Sequence, residues 1–248
     1  MKVNRIITLG AAFILGFAAG WLVEGRHWDE FLSSYIPSLA TLVAAFYGAK
    51  YAFQFQKDKE IEDIKNRNVV NGNNSIFALS RMAGKLAGFQ KQIINPIRNS
   101  PAKSLEMRAT NHLEKDDIKL KMEGLYFLLG TDDRNLLAEV MVEEERYRSA
   151  IDAINLRSQL HLHEVQPLLE RAGFVQGGQY PFEQIEGMLG PRLYATIFQA
   201  TDDVIHHVDA TVESIKSVSN KLTASLKKQY PSETIIGFVL PDSSDRLN

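Results

Sequence analysis

The chain has 248 residues, 45% hydrophobic and 23% charged, with a net charge of −2. Those values fit a folded protein and exclude a general electrostatic pull toward nucleic acid, so no nucleic-acid partner is expected. The absence of cysteine excludes disulfides, thiolate catalysis and cysteine–zinc sites.

In chain order, residues 6–23, IITLGAAFILGFAAGWLV, form an uncharged run of the length a helix needs to cross a bilayer. After the polar break EGRHWDE comes a second run, FLSSYIPSLATLVAAFYGA, residues 31–49, with Pro37 near its start. Trp21, Trp28 and Tyr35 gather at one end of the pair, and Tyr47 and Tyr51 at the other. Lys50 is placed to reach outward, so these six read as membrane-interface residues. Lys2 and Arg5 precede the first run, and Lys50, Lys57, Lys59, Lys65 and Arg67 follow the second. The connecting loop sets Arg26 against Glu24, Asp29 and Glu30. The positive-inside rule then predicts a two-helix transmembrane hairpin over 1–56, in a bacterial inner membrane, with both termini cytoplasmic and the lipid bilayer as a partner. An alternative makes residues 1–20 a cleaved signal peptide, with AAG at 18–20 as its small-residue site.

Residues 57–75 continue as a charged stalk helix. NVVNGNNS, 68–75, reads as a loop or loosened turn there, because Asn and Gly are poor helix-interior residues. A helical bundle is expected over 76–229. Its first helix carries Ile76, Leu79, Ala83, Leu86 and Ile93 at three–four spacing and stops at NPIRNSPAK. Residues 102–116 read as loop and 116–130 as a helix ending at glycine. A long helix from 131 to about 163 carries Leu136, Val140, Tyr147, Ile151 and Ile154 on one face. Pro167 opens a short helix ending at Gly173, and FEQIEGMLG forms another. The last helix, 191–229, carries Leu193, Ile197, Ala200, Val204, Val208, Ile215, Val218, Leu222 and Leu226, a stripe long enough for a bundle helix or a coiled-coil seam. Residues 230–248 form a tail in which TIIGFVL alone is strand-like. The predicted fold class is therefore all-α: transmembrane hairpin, stalk helix and cytoplasmic helical bundle.

Chemistry-bearing residues concentrate in TDDVIHHVDA, 201–210. With Val204 at the centre of the buried stripe, Asp202, His206 and Asp209 fall on the solvent side and read as surface pairs. Asp203 and His207, four apart, border the stripe and are the candidate metal ligands; DVIH, from Asp203 to His206, has a carboxylate-x-x-His spacing. No second copy of that motif follows. In HLHE, His161 and His163 point to nearly opposite faces of a helix, and EEER, 143–146, reads as a solvated face. No phosphate loop, H-E-x-x-H or G-x-S-x-G motif is present, and no cofactor is expected.

The segments AAFYGAKYAFQFQKDKE and NSIFALSRMAGKLAGFQKQIINPIR, with Ile94, Pro96 and Arg98 in INPIR, resemble a loosely defined group of uncharacterised bacterial inner-membrane proteins. That group has an N-terminal membrane hairpin, a charged stalk and a helical domain. The resemblance covers residues 38–98 best and implies no activity. The expectation is a membrane-anchored binding, signalling or scaffold protein, not an enzyme, with a protein partner or a homo-oligomer using the long apolar stripe. One alternative is a membrane-tethered metallo-enzyme using Asp203, His207 and residues near His161 or Glu144. Another, from architecture, is a membrane-perturbing effector of the phage-defence kind.

Overall fold

In the computed structural model, residues 28–115, 117–175, 178, 180–238 and 240 are described, with side chains from residue 36 onward. Among them run six α-helices: α1 Trp28–Phe89, α2 Lys103–Glu106, α3 Asn135–Leu160, α4 Gln166–Arg171, α5 Phe182–Leu189 and α6 Pro191–Gln229. A π turn, Gln90–Ile94, follows α1. A second, His161–Val165, joins α3 to α4, and a 3-10 segment, Met122–Gly130, precedes α3. The helix expected at 116–130 is thus mostly this tighter 3-10 form. The chain divides into two units, Met1–Glu62 and Asp63–Asn248.

In the first unit the described part belongs to α1. Pro37 lies inside the helix, not in its first turn, because α1 already begins at Trp28. Thr41 Oγ1 donates to the Pro37 carbonyl at 2.8 Å. The predicted hairpin requires correction. Its first run, 6–23, lies outside the described residues. Its second, 31–49, is one stretch of α1, and among the described residues no helix is long and apolar enough to cross a membrane. Ser33, Ser34, Ser38 and Thr41 dilute the apolar run, and Lys50 follows it directly. Several expectations fall with it: the inner-membrane placement with cytoplasmic termini, the lipid bilayer as a partner, the membrane-anchored scaffold and the membrane-perturbing effector. The resemblance to inner-membrane proteins falls too, since the anchor is what defines that group. Of the interface residues, Trp21 and the side chains of Trp28 and Tyr35 lie outside what is described. Tyr47, Lys50 and Tyr51 are exposed, with the two tyrosine rings 6.4 Å apart.

In the second unit α1 continues, burying Val69, Ile76, Leu79, Met82, Ala83 and Leu86. The spacing of three and four along these positions sets one helix face into the core. NVVNGNNS is not a loop: the helix passes through it unbroken. The low intrinsic helicity of these residues is offset by tertiary contacts. Asn68 Nδ2 donates to the Tyr230 hydroxyl at 3.1 Å. Asn73 donates to the Thr234 carbonyl at 3.0 Å and accepts from the Ile236 amide at 3.0 Å, so one side-chain amide holds the backbone of the tail. The TIIGFVL tail is therefore docked by hydrogen bonds to a helix and forms no strand among its described residues. Gly72 permits close packing, since a Cβ there would lie 2.6 Å from Leu226 Cδ1. Gly72→Val is expected to destabilise by about 1–3 kcal/mol through overpacking, read as a lower denaturation midpoint.

α3 and α6 pack along their lengths. Leu136, Val140, Tyr147, Ala150, Ile151 and Ile154 face Val204, Val208, Val212, Ile215, Val218, Leu222 and Leu226 in one core, which Met107, Ile118 and Leu120 of the irregular 107–121 segment help to close. The α6 stripe is thus spent within the chain. It gives no support to the expected protein partner or homo-oligomer, which rested on it. A second, smaller core gathers Val165, Ile185, Leu189 and Ile197, with Leu160, Leu168, Phe174 and Leu193 around them. Gly190, at φ +75°, makes the turn from α5 into Pro191 at the start of α6.

Candidate functional site

α6 places Thr201, Val204 and Val208 inward and leaves Asp202, Asp203, His206 and His207 exposed. Asp202 pairs with Lys103 at 2.7 Å, and Asp203 accepts from Gln199 Nε2 at 2.8 Å. His207 instead lines an open groove of about 540 Å³ with Met122, Met141, Glu144 and Ser149. Glu144 is already engaged, by Arg148 at 2.7 Å and the Leu120 amide at 3.3 Å. Among the described residues no group of three or more His, Asp or Glu could hold a metal ion. The metallo-enzyme expectation built on Asp203 and His207 is therefore corrected. Helical spacing placed the pair side by side on α6, but among the described residues no neighbouring element adds a third ligand.

Asp209 departs from the solvent-facing position expected of it. Arg98 grips it in a fork, Nη1 to Oδ2 at 2.6 Å and Nη2 to Oδ1 at 2.9 Å, and Gln90 Nε2 donates to Oδ1 at 2.7 Å. The first π turn and the INPIR turn after it fold onto this side of α6, so the Arg98 hydrogen bond holds Asp209 below the usual carboxylate range. Arg98 of that motif is a structural clamp.

Glu143, read as part of a solvated face, is buried. Ser214 donates to its Oε1 at 2.6 Å and accepts from Arg146 Nη1 at 2.6 Å. Burial pushes the Glu143 carboxyl up, which would suit a base beside a hydroxyl. Yet the Ser214 oxygen already accepts the Arg146 proton, which lowers its nucleophilicity. The trio works as a bridge between α3 and α6.

Sequence reasoning missed a polar layer where the two apolar cores meet. Arg157 lies one turn beyond Ile154 of the larger core, and Thr201 lies between Ile197 of the smaller core and Val204 of the larger. Arg157 is 1% exposed. Its Nε donates to Thr201 Oγ1 at 3.3 Å and its Nη2 to the Ser104 carbonyl at 2.9 Å. Thr201 spends its own proton on the Ile197 carbonyl at 2.8 Å. Arg157 has no carboxylate partner among the described residues, and burial lowers its pKa to about 10. Among the described residues, three buried polar atoms of Arg157, Ser104 and His161 have no hydrogen-bond partner: Arg157 Nη1, Ser104 Oγ and His161 Nδ1. His161 opens the second π turn, and its amide is shared between the carbonyls of Arg157 and Ser158. π turns of this kind often mark functional positions. Burial, then the charge of Arg157, lowers the His161 pKa to about 4. His163 of the same HLHE stretch is exposed.

The low His161 pKa has a stability consequence. Between its ordinary value of about 6.5 and about 4, the unfolded chain takes up a proton that the folded chain refuses. Stability is therefore lost as pH falls through that window. Because the ring is only partly enclosed, the expected loss is about 1–2 kcal/mol. Denaturant midpoints of wild type and His161→Gln at pH 7 and 4.5 check it: the variant should lose less stability on acidification.

The layer also fixes the adjoining loop. Asn155 donates to the Leu113 carbonyl and accepts from the Leu113 amide, both at 2.8 Å, and Ser158 Oγ accepts from the Thr110 amide at 3.2 Å. No family model matches the chain, and no curated protein or solved structure is similar to it.

Proposed function

We propose that residues 63–240 form a helical module that works by binding an anionic small ligand at the polar layer between its two cores, without making or breaking bonds in it. One observation carries this reading: a guanidinium buried to 1% exposure which, among the described residues, has no carboxylate partner and no hydrogen bond from Nη1. Such a charge costs several kcal/mol to bury unless something of opposite sign meets it. Proteins tolerate costs of this size chiefly where function requires them. Arg157 is the binding group, Thr201 and Ser104 orient it, and the π turn at 161–165 is the backbone element beside it. The non-catalytic part of the reading draws on the Glu143–Ser214–Arg146 bridge, where the serine oxygen is already occupied.

The test is a panel of small anionic, neutral and cationic compounds at matched ionic strength, with thermal midpoints of wild type and Arg157→Met. Anionic members should raise the wild-type midpoint more than that of the variant. Equal responses of the two proteins across all three classes would refute the reading.

A further inference from the structure

The ligand's class follows from what surrounds Arg157, and the inference rests on the anion-binding reading above. We propose that the polar layer is a site for a small monoanion of halide or formate size, held by Arg157 Nη1, Ser104 Oγ and His161 Nδ1. These are the three buried polar atoms of the layer that lack hydrogen-bond partners. Ser104 is bonded to the guanidinium through its carbonyl, 2.9 Å from Nη2, and His161 lies four residues beyond Arg157, near enough to feel its charge. Each can donate: a guanidinium N–H, a hydroxyl, and the imidazole in its Nδ1–H form.

Charge sets the valence. Among the described residues the layer holds one buried cation, Arg157. The neighbouring Lys103 is turned to the surface, where Asp202 holds it at 2.7 Å. Asp203 is bonded to Gln199 and exposed, and Glu164 of the π turn is exposed as well. A monoanion therefore neutralises the layer. Phosphate or sulfate would carry in a second negative charge that no buried cation meets. Size follows from enclosure: Ser104 is 0% and Arg157 1% exposed, so a large organic anion has no open wall through which to extend. The seat between two cores also gives the ion an effect beyond its contacts. It joins α3 and α6 to the short helix α2 carrying Ser104, so occupancy favours the arrangement in which those parts meet.

The experiment uses the full chain in gluconate buffer at constant ionic strength, with gluconate replaced stepwise by chloride, bromide or formate, and in parallel by sulfate or phosphate. The readout is the difference in thermal midpoint between wild type and Arg157→Met, which cancels general salt effects. Chloride, bromide and formate are expected to raise that difference by about 5–10 °C at a hundredfold excess over the dissociation constant. Arg157→Lys, which keeps the charge and loses the fork, and Ser104→Ala should each shift the response to higher concentration; they also serve if Arg157→Met folds poorly. A response to sulfate or phosphate without one to the monoanions would overturn the monoanion site and leave the broader binding reading standing. No difference for any anion would overturn both.

Discussion

Arg157→Met, in gluconate buffer, is expected to raise stability by about 1–3 kcal/mol. The substitution removes two hydrogen bonds, to Thr201 and to the Ser104 carbonyl. Leaving that carbonyl unmet costs about 1–3 kcal/mol. Against this stands the larger cost of a buried guanidinium with no carboxylate partner among the described residues, which disappears with the charge, while the Met side chain fills similar space. The gain should shrink or reverse as chloride is added, because only wild type is then stabilised. Chemical denaturation in the two buffers measures both effects. A loss of 2 kcal/mol or more without any small anion would mean that Arg157 is fully compensated by the chain itself.

Leu222→Ala should cost about 2–5 kcal/mol, the range for deleting a fully buried leucine side chain. Leu222 is 0% exposed, in the core that α6 shares with α3. The magnitude discriminates. If the stripe on α6 served an external partner, truncation would change the isolated chain's stability by a few tenths of a kcal/mol. A denaturant midpoint, with the slope unchanged, reads the difference directly.

Much of the helical domain could be read from the sequence, because its long helices carry strict apolar spacing. Leu136, Val140, Tyr147, Ile151 and Ile154 on α3, and Ile197, Val204, Val208, Ile215, Val218, Leu222 and Leu226 on α6, are buried as that spacing requires, while Ala200 is only half-buried. The Asn-rich 68–75 stretch misled because its stability is tertiary: Asn68 and Asn73 reach partners more than 150 residues away. The apolar run at 31–49 misled in another way. Its length matches a span, but Ser33, Ser34, Ser38 and Thr41 lower its mean hydropathy.

The polar layer left a faint signal. Arg157 continues the step of three from Ile151 and Ile154, and Thr201 lies four beyond Ile197 and three before Val204, so both fall on buried faces. An arginine on an inward face is the cue that was available. The absence of a partner carboxylate was not, since Ser104 comes from a segment whose path no periodicity fixes. The pair given most weight, Asp203 and His207, illustrates the converse, since correct local spacing makes a site only when other elements complete it.

The most direct measurement is a bromide-soaked crystal of the full chain, with diffraction collected at the bromine absorption edge. An anomalous peak within hydrogen-bonding reach of Arg157 Nη1 and Ser104 Oγ, lost in Arg157→Met crystals soaked alike, is the expected result. Bromide bound elsewhere on the chain with none at Arg157, where an ordered water holds Nη1 instead, would contradict the central claim.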